Sequence, residues 1–130
     1  MTKPNHRIHG GCFCGKIKFE FEAGDYLVAN CHCHMCRQTS GAPFVTWVVV
    51  PKTVFHYTKG QPKTLVSSTK GRREFCADCG TPMVFYTADR PDNLDITTGS
   101  LLNPDDFKPT RVVHEESKLS WLPHTEFQQD

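Results

Sequence analysis

Seven cysteines fall into three tight groups: Cys12-Phe13-Cys14, Cys31-His32-Cys33-His34-Met35-Cys36 and Cys76-Ala77-Asp78-Cys79. An odd count cannot close into a disulfide framework without leaving one thiol over. Closely spaced thiols in a reducing compartment hold metal, and zinc above all. The Cys76-Ala77-Asp78-Cys79-Gly80 stretch has the form of a zinc knuckle. Its two-residue spacer and following glycine let backbone N–H groups turn toward both sulfurs, which stabilises the thiolates. One such pair supplies half a tetrahedron, so the rest must come from elsewhere in the chain.

Spacing alone leaves two partitions open. In the first, Cys12 and Cys14 join Cys76 and Cys79 in a closed four-cysteine site, and Cys31, Cys33 and Cys36 form a second site with a vacant fourth position. In the second, Cys33 and Cys36 join Cys76 and Cys79 as a zinc ribbon, stranding Cys12, Cys14 and Cys31. The ribbon needs a connection far longer than the ~15–20 residues usual between its pairs.

The same residues carry a resemblance. Gly11-Cys12-Phe13-Cys14-Gly15, Cys31 through Arg37, Ser40-Gly41-Ala42-Pro43-Phe44, Phe75 through Pro82, Gly99-Ser100-Leu101 and Trp121 are similar to the glutathione-dependent formaldehyde-activating enzyme family, which includes centromere-protein-V-like proteins. The similarity runs from about residue 8 to about residue 122 and includes the order and spacing of every cysteine. It implies a β-tent fold and two Zn²⁺ per chain, one structural on Cys12, Cys14, Cys76 and Cys79, one catalytic on Cys31, Cys33 and Cys36. It also implies a carbon–sulfur lyase of the S-(hydroxymethyl)glutathione synthase type, with a small thiol (glutathione) and a small aldehyde (formaldehyde) as partners. His34 stands where members of the family often carry a small residue. An imidazole there could close the second zinc, but its tight placement between Cys33 and Cys36 points it outward.

An open three-thiolate zinc has its own chemistry. Its net charge of about −1 makes it a poorer Lewis acid than a three-histidine zinc, so water activation is not its natural task. A soft, thiolate-rich zinc instead suits a fourth thiolate, kept deprotonated and placed for attack on an electrophile. A developing alkoxide beside it needs a positive or donor group. Arg37 is the catalytic candidate, with Gln38 and Ser40 next to it in sequence. His114 is a weaker candidate for proton transfer, and His32, between two ligands on extended backbone, is expected to point away from the metal. Trp47 and Trp121 read as core or rim, and His6, His9, His56 and His124 as surface.

The elements that must position these groups are mostly β. Lys16 to Glu22 alternates polar and apolar, putting Ile17, Phe19 and Phe21 on one face of a half-buried strand. Further strands are predicted at Leu27–Asn30, Phe44–Val50, Val54–Tyr57, Thr64–Ser67, Arg73–Cys76, Met83–Tyr86, Leu94–Thr98 and Arg111–Glu115. Only short helical turns are predicted, near His34–Thr39 and Pro104–Phe107. The fold class is therefore a single small zinc-stabilised domain of antiparallel strands spanning 1–130, with a core of about 8–122 and loose ends at Met1–His6 and Glu126–Asp130.

With 15 Lys plus Arg against 14 Asp plus Glu, the net charge of +1 offers no basic stripe for nucleic acid. No apolar run is long enough for a membrane span, and the start lacks a hydrophobic signal region, so a cytoplasmic protein is expected. Two rivals to the lyase reading stand: a non-catalytic zinc-binding module, and the same zinc–thiolate chemistry on a different small substrate. The sequence does not specify an oligomeric state.

Overall fold

Ile17, Phe19 and Phe21 are all buried, while Lys18 and Glu22 between and beyond them face solvent. This alternation builds strand β2 (Lys18–Glu22), which pairs antiparallel with β1 (Arg7–Gly11) on one side and β5 (Phe55–Lys59) on the other. Strand β1 was not predicted, because two consecutive glycines break the strand pattern. The packing explains them: a Cβ at Gly10 would lie 2.5 Å from the Phe19 ring and 2.7 Å from the Ser100 carbonyl oxygen.

The structure is a computed structural model and describes residues 6–123. Its second sheet has seven strands in the order β10-β3-β4-β9-β8-β7-β6. These are β3 (Leu27–Cys31), β4 (Val45–Pro51), β6 (Lys63–Val66), β7 (Gly71–Phe75), β8 (Pro82–Thr87), β9 (Asn93–Thr97) and β10 (Arg111–Val113). The single α-helix among the described residues, α1 (His34–Ser40), lies where a turn was predicted, and a 3-10 turn occupies Pro104–Asp106. Further 3-10 turns at Lys52–Val54, Thr98–Ser100 and Glu115–Ser117 are too short to leave a periodicity. No helix among the described residues is long and apolar enough to cross a membrane. Of the predicted loose ends, residues 1–5 and 126–130 lie outside the described residues.

The strand pairings are antiparallel with one correction: β10 runs parallel to β3. The chain reaches β10 by a long crossover after β9 rather than by a tight turn, and only such a connection can deliver a parallel neighbour. The strand also ends at Val113 rather than Glu115, because His114 takes a left-handed conformation (φ 56) and a 3-10 turn follows.

The apolar run of β4 is explained by burial on both faces. Val48 and Val50 face the small sheet and meet Phe19, Phe21, Met83 and Ile96 in the main core. Val45 and Trp47 face the other way, into a second cluster with Cys31, Cys36, Cys33 and Phe85. The registers extend that second face across the sheet: Cys31 opposite Val45, Trp47 opposite Thr97, Asp95 opposite Phe85, Phe85 opposite Arg73, Arg73 opposite Leu65. Directly paired residues and those two apart along a strand share a face, so Cys31, Val45, Trp47, Thr97, Phe85, Arg73 and Leu65 lie on one face of the sheet, in three successive rows.

Candidate metal centres

Cys12 and Cys14 sit in the turn between β1 and β2 of the small sheet, and Cys76 and Cys79 in the turn between β7 and β8 of the large one. The four sulfurs lie within 4.8 Å of one another. Cys12 Sγ is 3.6 Å from Cys14 Sγ, and Cys14 Sγ is 3.7 Å from Cys76 Sγ. A tetrahedron of sulfurs at a Zn–S length of about 2.3 Å has edges of about 3.8 Å, whereas a disulfide needs about 2.05 Å. All seven cysteines are free thiols, and this spacing fits a four-coordinate ion. The turns supply inward N–H groups: Ile17 N–H donates to Cys12 Sγ at 3.3 Å and Cys79 N–H to Cys76 Sγ at 3.5 Å. Gly80 makes the knuckle close, with φ at 84 and its N–H donating to the Cys76 carbonyl at 2.8 Å. Thr81 ties the two turns together, accepting from Phe13 N–H at 3.0 Å and lying 3.3 Å from Cys79 Sγ. Its hydroxyl, then its backbone, hold Cys79 down at about 5. This group therefore joins the two sheets.

The second group is local to one sheet. Cys31 ends β3, Cys33 is the N-cap of α1 and accepts from Cys36 N–H at 3.2 Å, and Cys36 follows one turn into the helix. These three sulfurs also lie within 4.8 Å of one another, with Cys36 and Cys31 at 3.4 Å. The ribbon partition is thereby set aside: Cys33 and Cys36 group with Cys31, not with Cys76 and Cys79. Cys36 is held down to about 5, first by the Cys31 thiol it faces, then by Cys33 and Arg73 against the effect of burial; Cys31 goes up in return.

No fourth protein donor joins this trio among the described residues. His34 is exposed and its Nδ1 meets Arg37 Nη2 at 3.5 Å, outward as its tight spacing implies. His32 is buried with its ring 5.0 Å from that of Phe44, while its Nδ1 has no hydrogen-bond partner. His114 is exposed and faces Glu116 at 3.3 Å. Arg37 is half-buried and reaches His34. Trp47 belongs to the cluster around the sulfurs, and Trp121 is exposed.

The cation that touches the sulfurs is Arg73, which sequence reading had placed only at the start of a strand. Its Nη2 donates to Cys36 Sγ at 3.9 Å, and its guanidinium lies 4.6 Å over the Phe85 ring. Strand alternation alone could have assigned Arg73 an inward face, but not the helix it meets there.

Two cavities adjoin this face and share Ser40, Val45, Pro82 and Thr97. One is an open groove of about 780 Å³ whose lining includes Lys108, Asp105, Thr46, Thr98 and Ser100. The other is smaller and lies toward Arg73.

The sequence model of the family described as glutathione-dependent formaldehyde-activating enzyme matches residues 7–117. An uncharacterized lyase of Schizosaccharomyces pombe is 30% identical over 79 residues, which are 60% of this chain and 57% of that relative. The match thus spans little more than half of the relative's length. A crystal structure of a Rhodobacter sphaeroides protein has the same fold, with a TM-score of 0.66 and 21% identity over 81% of this chain and 99% of that one.

Proposed function

The chain belongs to the glutathione-dependent formaldehyde-activating enzyme family, and from that premise we propose that it is a carbon–sulfur lyase using zinc at both cysteine groups. In this reading a small thiol, glutathione, is taken at Cys31, Cys33 and Cys36 and added to formaldehyde or a related small electrophile. The observation that carries it is the incomplete donor set: three sulfurs within 4.8 Å of one another with no fourth protein donor among the described residues. Zinc bound there would keep an incoming thiol deprotonated at neutral pH.

The chain's own residues supply the rest. Cys33, the half-exposed member of the trio, marks the side from which a ligand enters. Arg73 offsets the accumulated negative charge next to Cys36. Arg37, on the first turns of α1, is the candidate for guiding an anionic thiol to the opening. The groove of about 780 Å³ suits a zwitterionic tripeptide, with Lys108 for a carboxylate and Asp105 for the ammonium. The reaction balances without redox: the sulfur bonds to the carbonyl carbon, and the proton given up by the thiol ends on the oxygen. Cys12, Cys14, Cys76 and Cys79 hold a zinc that stabilises the fold.

Glutathione and formaldehyde combine without help, so the test is exchange at equilibrium. Two-dimensional NMR exchange between ¹³C-formaldehyde hydrate and S-hydroxymethylglutathione should accelerate in proportion to zinc-loaded protein, and Cys36→Ser should return it to the spontaneous rate. An unchanged exchange rate with the fully loaded protein would leave a non-catalytic zinc-binding module.

A further inference from the structure

The sheet face that carries Cys31 also carries Val45, Trp47, Leu65 and Arg73, which line the smaller cavity, of about 290 Å³. Val45, Trp47, Leu65, Phe75 and Pro82 wall it, and Arg73 is its cation. Three hydroxyls also line it, but their protons are committed: Thr39 donates to the Met35 carbonyl at 2.6 Å, Ser40 to the Cys36 carbonyl at 2.6 Å, and Thr97 to the Pro82 carbonyl at 2.8 Å. Arg73 is therefore the charged donor of the cavity, beside the indole N–H of Trp47. It is 8% exposed, its Nε is buried without a partner, and the bond to Cys36 is long for a guanidinium.

Apolar walls ending in one cation beside the Cys36 sulfur select an occupant with an apolar body and one oxygen acceptor. Glutathione does not match, since its two carboxylates and ammonium would face apolar walls. Formaldehyde does not match either. At roughly 30 Å³ for a water-sized group, its two heavy atoms would leave most of the 290 Å³ empty.

We propose that this cavity receives the electrophile, and that the substrate class is an aldehyde with an apolar chain or ring of several carbons, its carbonyl oxygen on Arg73. The inference rests on thiol addition at the neighbouring sulfurs, as read above. The thiol's sulfur bonds to the carbonyl carbon, the π pair moves to the oxygen beside the guanidinium, and the thiol's proton is returned there, giving a hemithioacetal. Nothing is oxidised or reduced.

The cavity is tested without any thiol. In zinc-loaded Trp121→Phe, Trp47 is the only tryptophan, since the chain has two. Titration with acetamide, butanamide and hexanamide, which are unreactive carbonyls, should change its emission saturably, with affinity rising about fourfold for each buried methylene. Leu65→Arg, at an exposed edge position of the wall, should weaken hexanamide tenfold or more. Affinity independent of chain length, or hexanamide binding unaffected by Leu65→Arg, overturns the cavity assignment whatever happens with formaldehyde. Exchange NMR with glutathione then tests the chemistry. Greater acceleration with hexanal than with formaldehyde supports the proposal, and acceleration with formaldehyde alone overturns the substrate class. No acceleration with either aldehyde overturns the thiol-addition reading and the electrophile assignment with it.

Discussion

Cys79 and Cys36 are both held down at about 5, but by different neighbours. Cys79 is pinned by Thr81 in a turn that bridges two sheets, whereas Cys36 shares its environment with Cys31 and Arg73 on one sheet. Cys79→Ser or Cys12→Ser should therefore abolish folding, because structural zinc contributes on the order of 10 kcal/mol in small domains. Cys36→Ser should stay folded and lose one zinc; circular dichroism with elemental analysis distinguishes these outcomes, and equal loss of folding would contradict the division of roles. Tyr57 offers a pH test away from both groups. Its hydroxyl donates to Glu74 Oε1 at 2.6 Å, and burial, then Glu74, hold its proton on well above the ordinary tyrosine range. A folded pKa above the unfolded value of about 10 means stability that is present below pH ~10 and lost as pH rises beyond it. Tyr57→Phe should be less stable by about 1–2 kcal/mol at neutral pH and should lose that alkaline decline; denaturant melts from pH 8 to 11 check it, and an unchanged slope would contradict it. The two cysteine groups that could hold metal were legible because thiols at short spacing have few other uses. Arg73 was not, since it meets Cys36 across 37 residues of sequence.

At the scale of elements, the period-2 pattern of β2 and the apolar run of β4 were enough to locate the strands that carry the core. Strand β1 escaped because its glycines answer to close contacts, Gly10 with Phe19 and Ser100 and Gly11 with the Ile17 carbonyl, not to a strand preference. The parallel partner of β3 escaped because pairing direction depends on the path of the crossover, which no local pattern records. The two glycine sites differ in a way that can be measured. Gly80 has φ 84 and open space where a Cβ would go, so Gly80→Ala carries a backbone cost alone, about 1–2 kcal/mol. At Gly10 a Cβ would meet an aromatic ring and a carbonyl, and the ring at 1% exposure has nowhere to move. Gly10→Ala should cost more, about 3 kcal/mol by overpacking, and should not alter zinc content until the protein melts. Gly80→Ala should instead speed zinc release to a chelator from the folded protein. Thermal melts and chelator kinetics on the two variants test the pair; the reverse ranking would contradict it.

For the molecule as a whole, one cysteine group bridges the two sheets and the other lies on one sheet with three sulfurs; in the proposed function that second group takes a ligand. That division leads to two zinc ions per chain by elemental analysis, one of them removable without unfolding. It also centres the function on a single coordination position, the fourth place beside Cys31, Cys33 and Cys36. Cobalt substitution reads that position directly. Glutathione added to the cobalt protein should strengthen the sulfur charge-transfer absorption saturably, with affinity rising with pH because thiol binding releases a proton. Cys36→Ser should abolish the response while the four-cysteine group keeps its own absorption, and S-methylglutathione, which has no thiol to ionise, should leave the spectrum unchanged. A response to S-methylglutathione equal to that of glutathione, or no response to either in the fully loaded protein, would contradict thiol capture at this centre.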